Sequence, residues 1–422
     1  MNDDFFDADE LARLRSHGIV LFARRVIFDA RPPMPAERIA AIQAACAGRL
    51  PPELLALWRQ AGGGRLDYDL HLRMNGNEEC FDWRELFGDR PEAERREGEQ
   101  DLQAWLDHEI DGARAASSEP GADPWDGKLT LLPIGGFESH DRVYAVVEDG
   151  ADHGHLLAWK QGLPPAWPHE LHEDGMSTIA PDLCADFEAL HLDEDPLAPA
   201  GDHSTGQELL AYLDERHQAH GLDLDLSDRL VAFYRRAMVD WRTPLADGSL
   251  ASDGALSRIA LRHAIAADDA PLVERLAAAG VALDGPLHGS AIATDLALSH
   301  GALAAAEALV RAGAPVAPDA LDEIDSALSP ELVTLLLAHG AEPSALAVAE
   351  CVACGAPDAA RLIAAAYAER HDDLPQAFSA ARATMLAELE AALVEVREGR
   401  LTHYLGLSGL GRRVDHLQSF AL

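Results

Sequence analysis

Basic side chains are scarce in this chain: 34 lysines and arginines face 72 aspartates and glutamates, a formal net charge of −38 over 422 residues. A field of that sign repels DNA, RNA and anionic lipid, and speeds encounter with a basic partner. Neither nucleic acid nor membrane is therefore expected as a partner. The acidity is spread along the chain; residues 1–200 hold 40 acidic and 18 basic side chains. Cysteine is sparse too. Cys46, Cys80, Cys184, Cys351 and Cys354 are too few and too scattered for a disulfide scaffold, and their odd number fits a reducing compartment. No apolar run approaches the ~20 residues that a membrane span requires. The first seven residues are acidic where a secretory signal would be basic and then apolar. Together these absences lead us to expect a cytoplasmic protein.

What is present suffices for real cores. Apolar residues make up 48% of a chain long enough for two or three domains. Ile39, Ile42 and Ala45 recur at helical spacing within 35–47, as do Leu54, Leu55, Leu57 and Trp58 before the breaker Gly62–Gly63–Gly64. Tyr68, Leu70, Leu72 and Met74 then alternate with Asp69, His71 and Arg73, the period of a half-buried strand. A charged helix is expected over 92–116, with an apolar stripe at Leu102, Trp105, Leu106 and Ile110. Strand-like runs follow at 129–134, 142–148 and 155–160. Ile179, Leu183, Phe187 and Leu190 read as a closing helix face with Pro181 in its first turn. Helices, then strands, then a helix suggest an α+β domain, a mostly antiparallel sheet with helices packed on it.

Leu50–Pro51–Pro52–Glu53–Leu54 through Trp58 to the triple glycine, then Leu132–Pro133–Ile134–Gly135–Gly136 and the 143–147 strand, form a pattern that resembles the SUKH superfamily. The resemblance covers about residues 34–192. It implies an α+β fold without a catalytic signature and a protein-binding role, as in the yeast cell-wall-assembly regulator and many bacterial immunity proteins.

Residues 193–206 (DEDPLAPAGDHSTG) have the composition of a linker. Beyond it, 207–255 reads as a helical cap region, with helices at 207–218 and 226–241. Residues 295–314, DLALSHGALAAAEALVRAGA, are a helix–turn–helix unit that recurs with decay. Its copies close on Gly280, Gly313 and Gly340, at steps of 33 and then 27 residues; a fourth, at 358–367, has Ala366 where the glycine belongs. A 33-residue helix pair cannot bury its apolar faces alone and must stack on its copies, so this segment resembles an ankyrin repeat array. The expected organisation is a SUKH-like domain over 1–192, the linker, the cap region, about four degenerate repeats over 256–370, and a C-terminal helix and tail over 371–422. The second half would then be an all-α ankyrin-type solenoid. Partner contacts would fall near Asp284–His288 and Pro315–Asp319.

Chemistry-bearing motifs are few. Cys351–Val352–Ala353–Cys354 lacks the second ligand pair that a zinc site requires and falls where small apolar residues pack. His169, Glu170, His172, Glu173 and Asp174, with His153 and His155 nearby, are dense in ligands but not spaced as HExxH, and read as a solvated loop. No nucleophile elbow, P-loop or dinucleotide fingerprint occurs, and Gly406–Gly411 reads as a flexible tail. No catalytic residue, cofactor or metal is therefore assigned. The candidate partner-binding residues are Asp67, Tyr68, Asp69, Glu78, Glu79, Asp82 and Trp83, carboxylates mixed with aromatics around one strand and its loop. The leading expectation is a non-enzymatic bacterial immunity protein that binds and neutralises a cognate toxin, such as a nuclease with a basic surface. The alternative is a regulatory or scaffold protein that binds signalling partners through the SUKH-like domain and the repeats.

Overall fold

The computed structural model describes residues 5–75, 77–89, 101–118, 121, 124–137, 140–163, 173–197, 205–288, 291–322, 324, 326–401, 403 and 405–422. They divide into two compact units, Met1–Val239 and Asp240–Leu422. The first is a mixed α+β unit with a six-stranded antiparallel sheet, and the second is helical.

In the first unit, helix α1 (Ala8–Ser16) opens on a capping box: the Asp7 carboxylate accepts from Glu10 N at 2.8 Å, and the Glu10 carboxylate from Asp7 N at 3.0 Å. A hairpin of β1 (Val20–Phe22) and β2 (Arg25–Ile27) follows, then α2 (Ala36–Ala45) and α3 (Pro52–Trp58). Next come β3 (Gly64–Arg65), β4 (His71–Met74), β5 (Asn77–Cys80), β6 (Glu85–Leu86) and α4 (Leu102–Ala116). Strands β7 (Leu131–Phe137), β8 (Asp141–Val146), β9 (Leu156–Leu163) and β10 (Glu173–Ala180) lead into α5 (Leu183–Ala189). The large sheet has the order β10-β9-β8-β7-β6-β3, and β4 pairs with β5 in a separate hairpin. Strands β6 and β7 are neighbours although α4 lies between them in sequence. At Gly135 the β7–β8 register shifts. A side chain there would overlap Trp83 Nε1 and the Glu85 carbonyl, which is why this strand position carries glycine.

The period-two reading of 68–74 holds: Tyr68, Leu70, Leu72 and Met74 are buried. The closing helix starts later than its apolar spacing suggested. Ile179 belongs to β10, Pro181 precedes the helix, and Asp182 caps α5 by accepting from Cys184 N and Ala185 N, both at 2.9 Å. Of the charged helix expected over 92–116, residues 92–100 lie outside the described residues.

The boundary after residue 192 also moves. Helices α6 (Gln207–His220) and α7 (Leu224–Tyr234) belong to the first unit. Leu209, Tyr212, Leu213, Leu226, Leu230, Phe233 and Tyr234 are buried in the same core as the strands. These helices therefore complete an α+β core and do not cap the repeats. Residues 193–195 are likewise held by side-chain bonds within the unit.

The second unit runs through α8 (Arg242–Asp247), α9 (Gly254–Ala266), α10 (Ala270–Ala278), the short strands β11 (Pro286–His288) and β12 (Ala291–Ile292), α11 (Ala293–Ser299) and α12 (Leu303–Arg311). It ends with α13 (Pro330–Ala338), α14 (Ala345–Ala353), α15 (Pro357–Ala368), α16 (Leu374–Arg397) and α17 (Gly406–Ser419). Helices pack in consecutive pairs, α9 on α10, α11 on α12 and α14 on α15, and α12 also packs on α10. The same closure ends α10, α12 and α13: Gly280, Gly313 and Gly340 take φ of +83°, +92° and +116°. The next residue's N–H then returns to a carbonyl five residues back, Leu276, Leu309 or Leu336, at 3.0–3.1 Å. In the stretch expected as the third copy, turns occupy 318–322 in place of the expected first helix, and Leu321 and Ile324 are buried. Residues 406–411, expected as a flexible tail, begin α17, whose Leu410, Val414 and Leu417 are buried.

Candidate functional site

The candidate partner-binding residues lie on the segment before β4, on β5 and on the segment after it. Asp67 is buried (4% exposed), and its Oδ2 accepts from Glu208 N at 2.9 Å and Leu209 N at 3.1 Å. Tyr68 is buried against Tyr234, with ring centroids 4.8 Å apart, and its hydroxyl accepts from Val26 N at 2.8 Å. Trp83 is 1% exposed and meets Phe187 edge-on. Both aromatics expected as surface anchors are thus core side chains, Tyr68 on the segment between β3 and β4 and Trp83 on that between β5 and β6. Asp69, Glu79 and Asp82 are half-buried, and the Glu78 side chain lies outside the described residues. Asp82 pairs with Arg84 at 3.0 Å. Glu78 and Glu79 lie on β5 opposite Arg73 and Leu72 of β4.

Asp69 faces a group that the sequence reading left unassembled. An antiparallel bridge joins Asp69 to His191: Asp69 N donates to His191 O at 2.8 Å, and His191 N to Asp69 O at 3.0 Å. Strand alternation puts Asp69 and His71 on one side of their segment, and His191 and Asp193 on one side of theirs, with Leu190 and Leu192 fully buried. His71 Nε2 lies 2.8 Å from Asp193 Oδ2, and His191 Nε2 lies 3.1 Å from Asp193 Oδ1. Their side chains are 10–19% exposed. Asp69 Oδ2 accepts from Asp193 N at 2.8 Å and its Oδ1 from Thr205 Oγ1 at 2.7 Å. Burial, then the neighbouring Asp193 charge, raises the Asp69 carboxyl above the usual range despite these bonds. Burial opposes charge on His191, but the adjacent Asp193 carboxylate outweighs it and the imidazole is raised. Among the described residues, His71, His191 and Asp193 are the one group of three whose ligand atoms all lie within 4.8 Å of each other. His71 and His191 are 120 positions apart, so no local spacing could reveal them; the alternating runs 69–71 and 191–193 were the only signal.

The other sequence candidates stay apart. His169, Glu170 and His172 lie outside the described residues, while Asp174 is on β10. His153 Nε2 contacts Arg49 O at 2.7 Å, and His155 sits 3.6 Å from Asp152. Cys351 is fully buried in α14, its thiol pushed up to about 12 by burial and then by Cys354 and Glu350. That environment suits packing. In the second unit a cleft of about 480 Å³ is lined by Val352, Gly355, Pro357, Arg361, His416 and Phe420. Asp284, Pro286, Pro315, Pro318 and Asp319, on the expected contact tips, are exposed.

Comparison of the chain with protein families, with curated proteins and with solved structures gave no match. Among the described residues, no helix is long and apolar enough to cross a membrane.

Proposed function

We propose that this is a non-enzymatic, cytoplasmic immunity-type protein. Its first unit, read as SUKH-like, captures and masks a protein toxin with a basic surface. Its second unit, read as an ankyrin-type solenoid, supplies another binding surface. The observation that carries the reading is uncompensated surface charge. The first unit holds 47 acidic against 22 basic residues, and Glu148, Asp149 and Asp152 stand exposed together at the β8–β9 turn. A cationic nuclease groove would be attracted by such a field and blocked by carboxylates standing in for phosphates. The helix pairs closing on Gly280 and Gly313, and the single helix α13 closing on Gly340, support the repeat reading, because each leaves an apolar face for the next. The exposed tips at Asp284 and 315–319 suit the alternative, a regulatory scaffold.

Co-expression with a cationic nuclease toxin, sought among the genes beside this one, tests the reading. Cells should survive, and purified chain should bind the toxin with an association rate that falls steeply as salt shortens the Debye length from ~10 Å at 0.1 M to ~3 Å at 1 M. Reversing Glu78 and Glu79 to lysine should slow low-salt association by roughly tenfold, with less effect from reversing Asp107 and Asp111 on α4. A partner that binds well but is not toxic would favour the scaffold.

A further inference from the structure

His71, on β4, and His191 and Asp193, which follow α5, converge on one small volume from segments 120 residues apart. Their arrangement is more specific than a pair of ion pairs. His191 Nδ1 lies 2.8 Å from the Ala189 carbonyl, which can only accept, so Nδ1 donates there and Nε2 is the ring nitrogen turned to Asp193. His191 Nε2 lies 3.1 Å from Asp193 Oδ1. The same nitrogen and oxygen that can share a proton are donors to a divalent metal ion.

The dimensions fit one. In a tetrahedral zinc site with bonds of about 2.0–2.1 Å, neighbouring ligand atoms stand about 3.3 Å apart. Both imidazoles reach the one carboxylate, His71 through Oδ2 at 2.8 Å and His191 through Oδ1 at 3.1 Å, and one ligand atom from each residue lies within 4.8 Å of the others. The surroundings are those of a held ligand set. The Ala189 carbonyl fixes the His191 ring, and Asp69 takes the Asp193 N–H and the Thr205 hydroxyl, so the loop bearing Asp193 is tied on both sides. Two imidazoles and one carboxylate are borderline donors of the zinc type and leave a coordination position for solvent.

We propose that His71 Nε2, His191 Nε2 and the Asp193 carboxylate form a mononuclear site for a zinc-class divalent ion, with its remaining position open to water or to a donor from a bound partner. The ion joins the 69–71 segment to the 191–193 segment and offsets the paired charge of Asp69 and Asp193.

The test uses the full chain, stripped with chelator and titrated with Zn²⁺ against a chromophoric competitor, and separately with Co²⁺. One equivalent of each should bind, and the cobalt form should show visible ligand-field bands. His71→Ala and Asp193→Asn should each weaken Zn²⁺ by at least about 100-fold, and Asp69→Asn by about 10–100-fold, the usual span for a supporting group. The double substitution of His153 and His155 by alanine should leave affinity unchanged. Should the variants fail to fold, diethylpyrocarbonate labelling of the wild-type chain decides: Zn²⁺ should protect His71 and His191 selectively. Sub-stoichiometric binding, unchanged affinity in folded His71→Ala, or labelling of both histidines indifferent to Zn²⁺ would overturn the proposal.

Discussion

Asp67 sits in a run of carboxylates that reads as surface, yet its side chain closes a helix 140 residues downstream. The N-cap of α6 is Gly206, which has no side chain to offer, and Asp67 supplies the acceptor to Glu208 N and Leu209 N. The second unit repeats the device: α12 begins at Ala302 without a side-chain cap, and Asp268 accepts from Ala305 N at 2.8 Å. Replacing Asp67 or Asp268 by alanine should each cost about 1–2 kcal/mol in urea unfolding. Asp149→Ala, at an exposed turn, should stay within about 0.5 kcal/mol. A third aspartate has the opposite character. Asp186 is fully buried in α5, and neither carboxylate oxygen has a hydrogen-bond partner among the described residues. Burial, and then the charge of Asp182, raises it well above the ordinary carboxylate range. Above the unfolded value of about 3.9, the native chain holds a proton that the unfolded chain has released, so stability falls as pH rises through that window. Asp186→Asn should therefore raise Tm at pH 8, by about 1–3 kcal/mol of stability, and lose that advantage below about pH 4. An equal gain at both pH values would show that the carboxylate's charge is not the cause.

At the scale of the element, the second unit depends on faces that only neighbouring helices bury. Leu309 of α12 is fully buried, while Glu307, two residues earlier, pairs with Arg311 on the partly exposed side. Leu309→Asp should destabilise by several kcal/mol, because the carboxylate would enter the interior without a partner. Glu307→Ala should change little, since i,i+4 pairs contribute only a few tenths of a kcal/mol. Circular-dichroism melts of the two variants separate these outcomes, and equal losses would mean the helix register is misassigned. Local spacing does not account for the turns between Gly313 and α13: Ala320, Leu321, Ile324, Ala327 and Leu328 recur at helical spacing, yet residues 318–322 form turns.

For the whole molecule, the position of the boundary decides what can fold alone. Fragment 1–239 should unfold cooperatively, and so should 240–422, each measured by denaturant titration. A fragment ending at residue 200 should not fold. It lacks the buried side chains of α6 and α7, among them Leu209, Leu213, Leu230, Phe233 and Tyr234. At about 1.5–3 kcal/mol for each buried side chain, five already approach the 5–15 kcal/mol that a typical domain possesses. A cooperative transition from 1–200 would return the boundary to the polar stretch after residue 192.

Sequence by itself determined what rests on local chemistry. The alternation at 68–74, the breaker glycines 62–64 and the glycine-closed helix ends all appear where residue type and period placed them, because turn geometry and strand burial are set within a few residues. The mixed α+β character of the first half and the helical second half followed from the same signals. Tertiary structure alone decided where those pieces meet. It turned Tyr68 and Trp83 inward, since an alternating strand has an inner face but does not say which aromatic is covered. It made Asp67 a cap for a helix that the chain reaches only after 140 further residues. It drew α6 and α7 into the first core across a stretch whose polar composition signalled a linker. It also brought His71 to His191 and Asp193, by a strand bridge whose partners no spacing rule connects. Local propensity acts over one turn or one hairpin; caps, shared cores and ligand clusters form between segments distant in sequence, and only the folded chain assembles them.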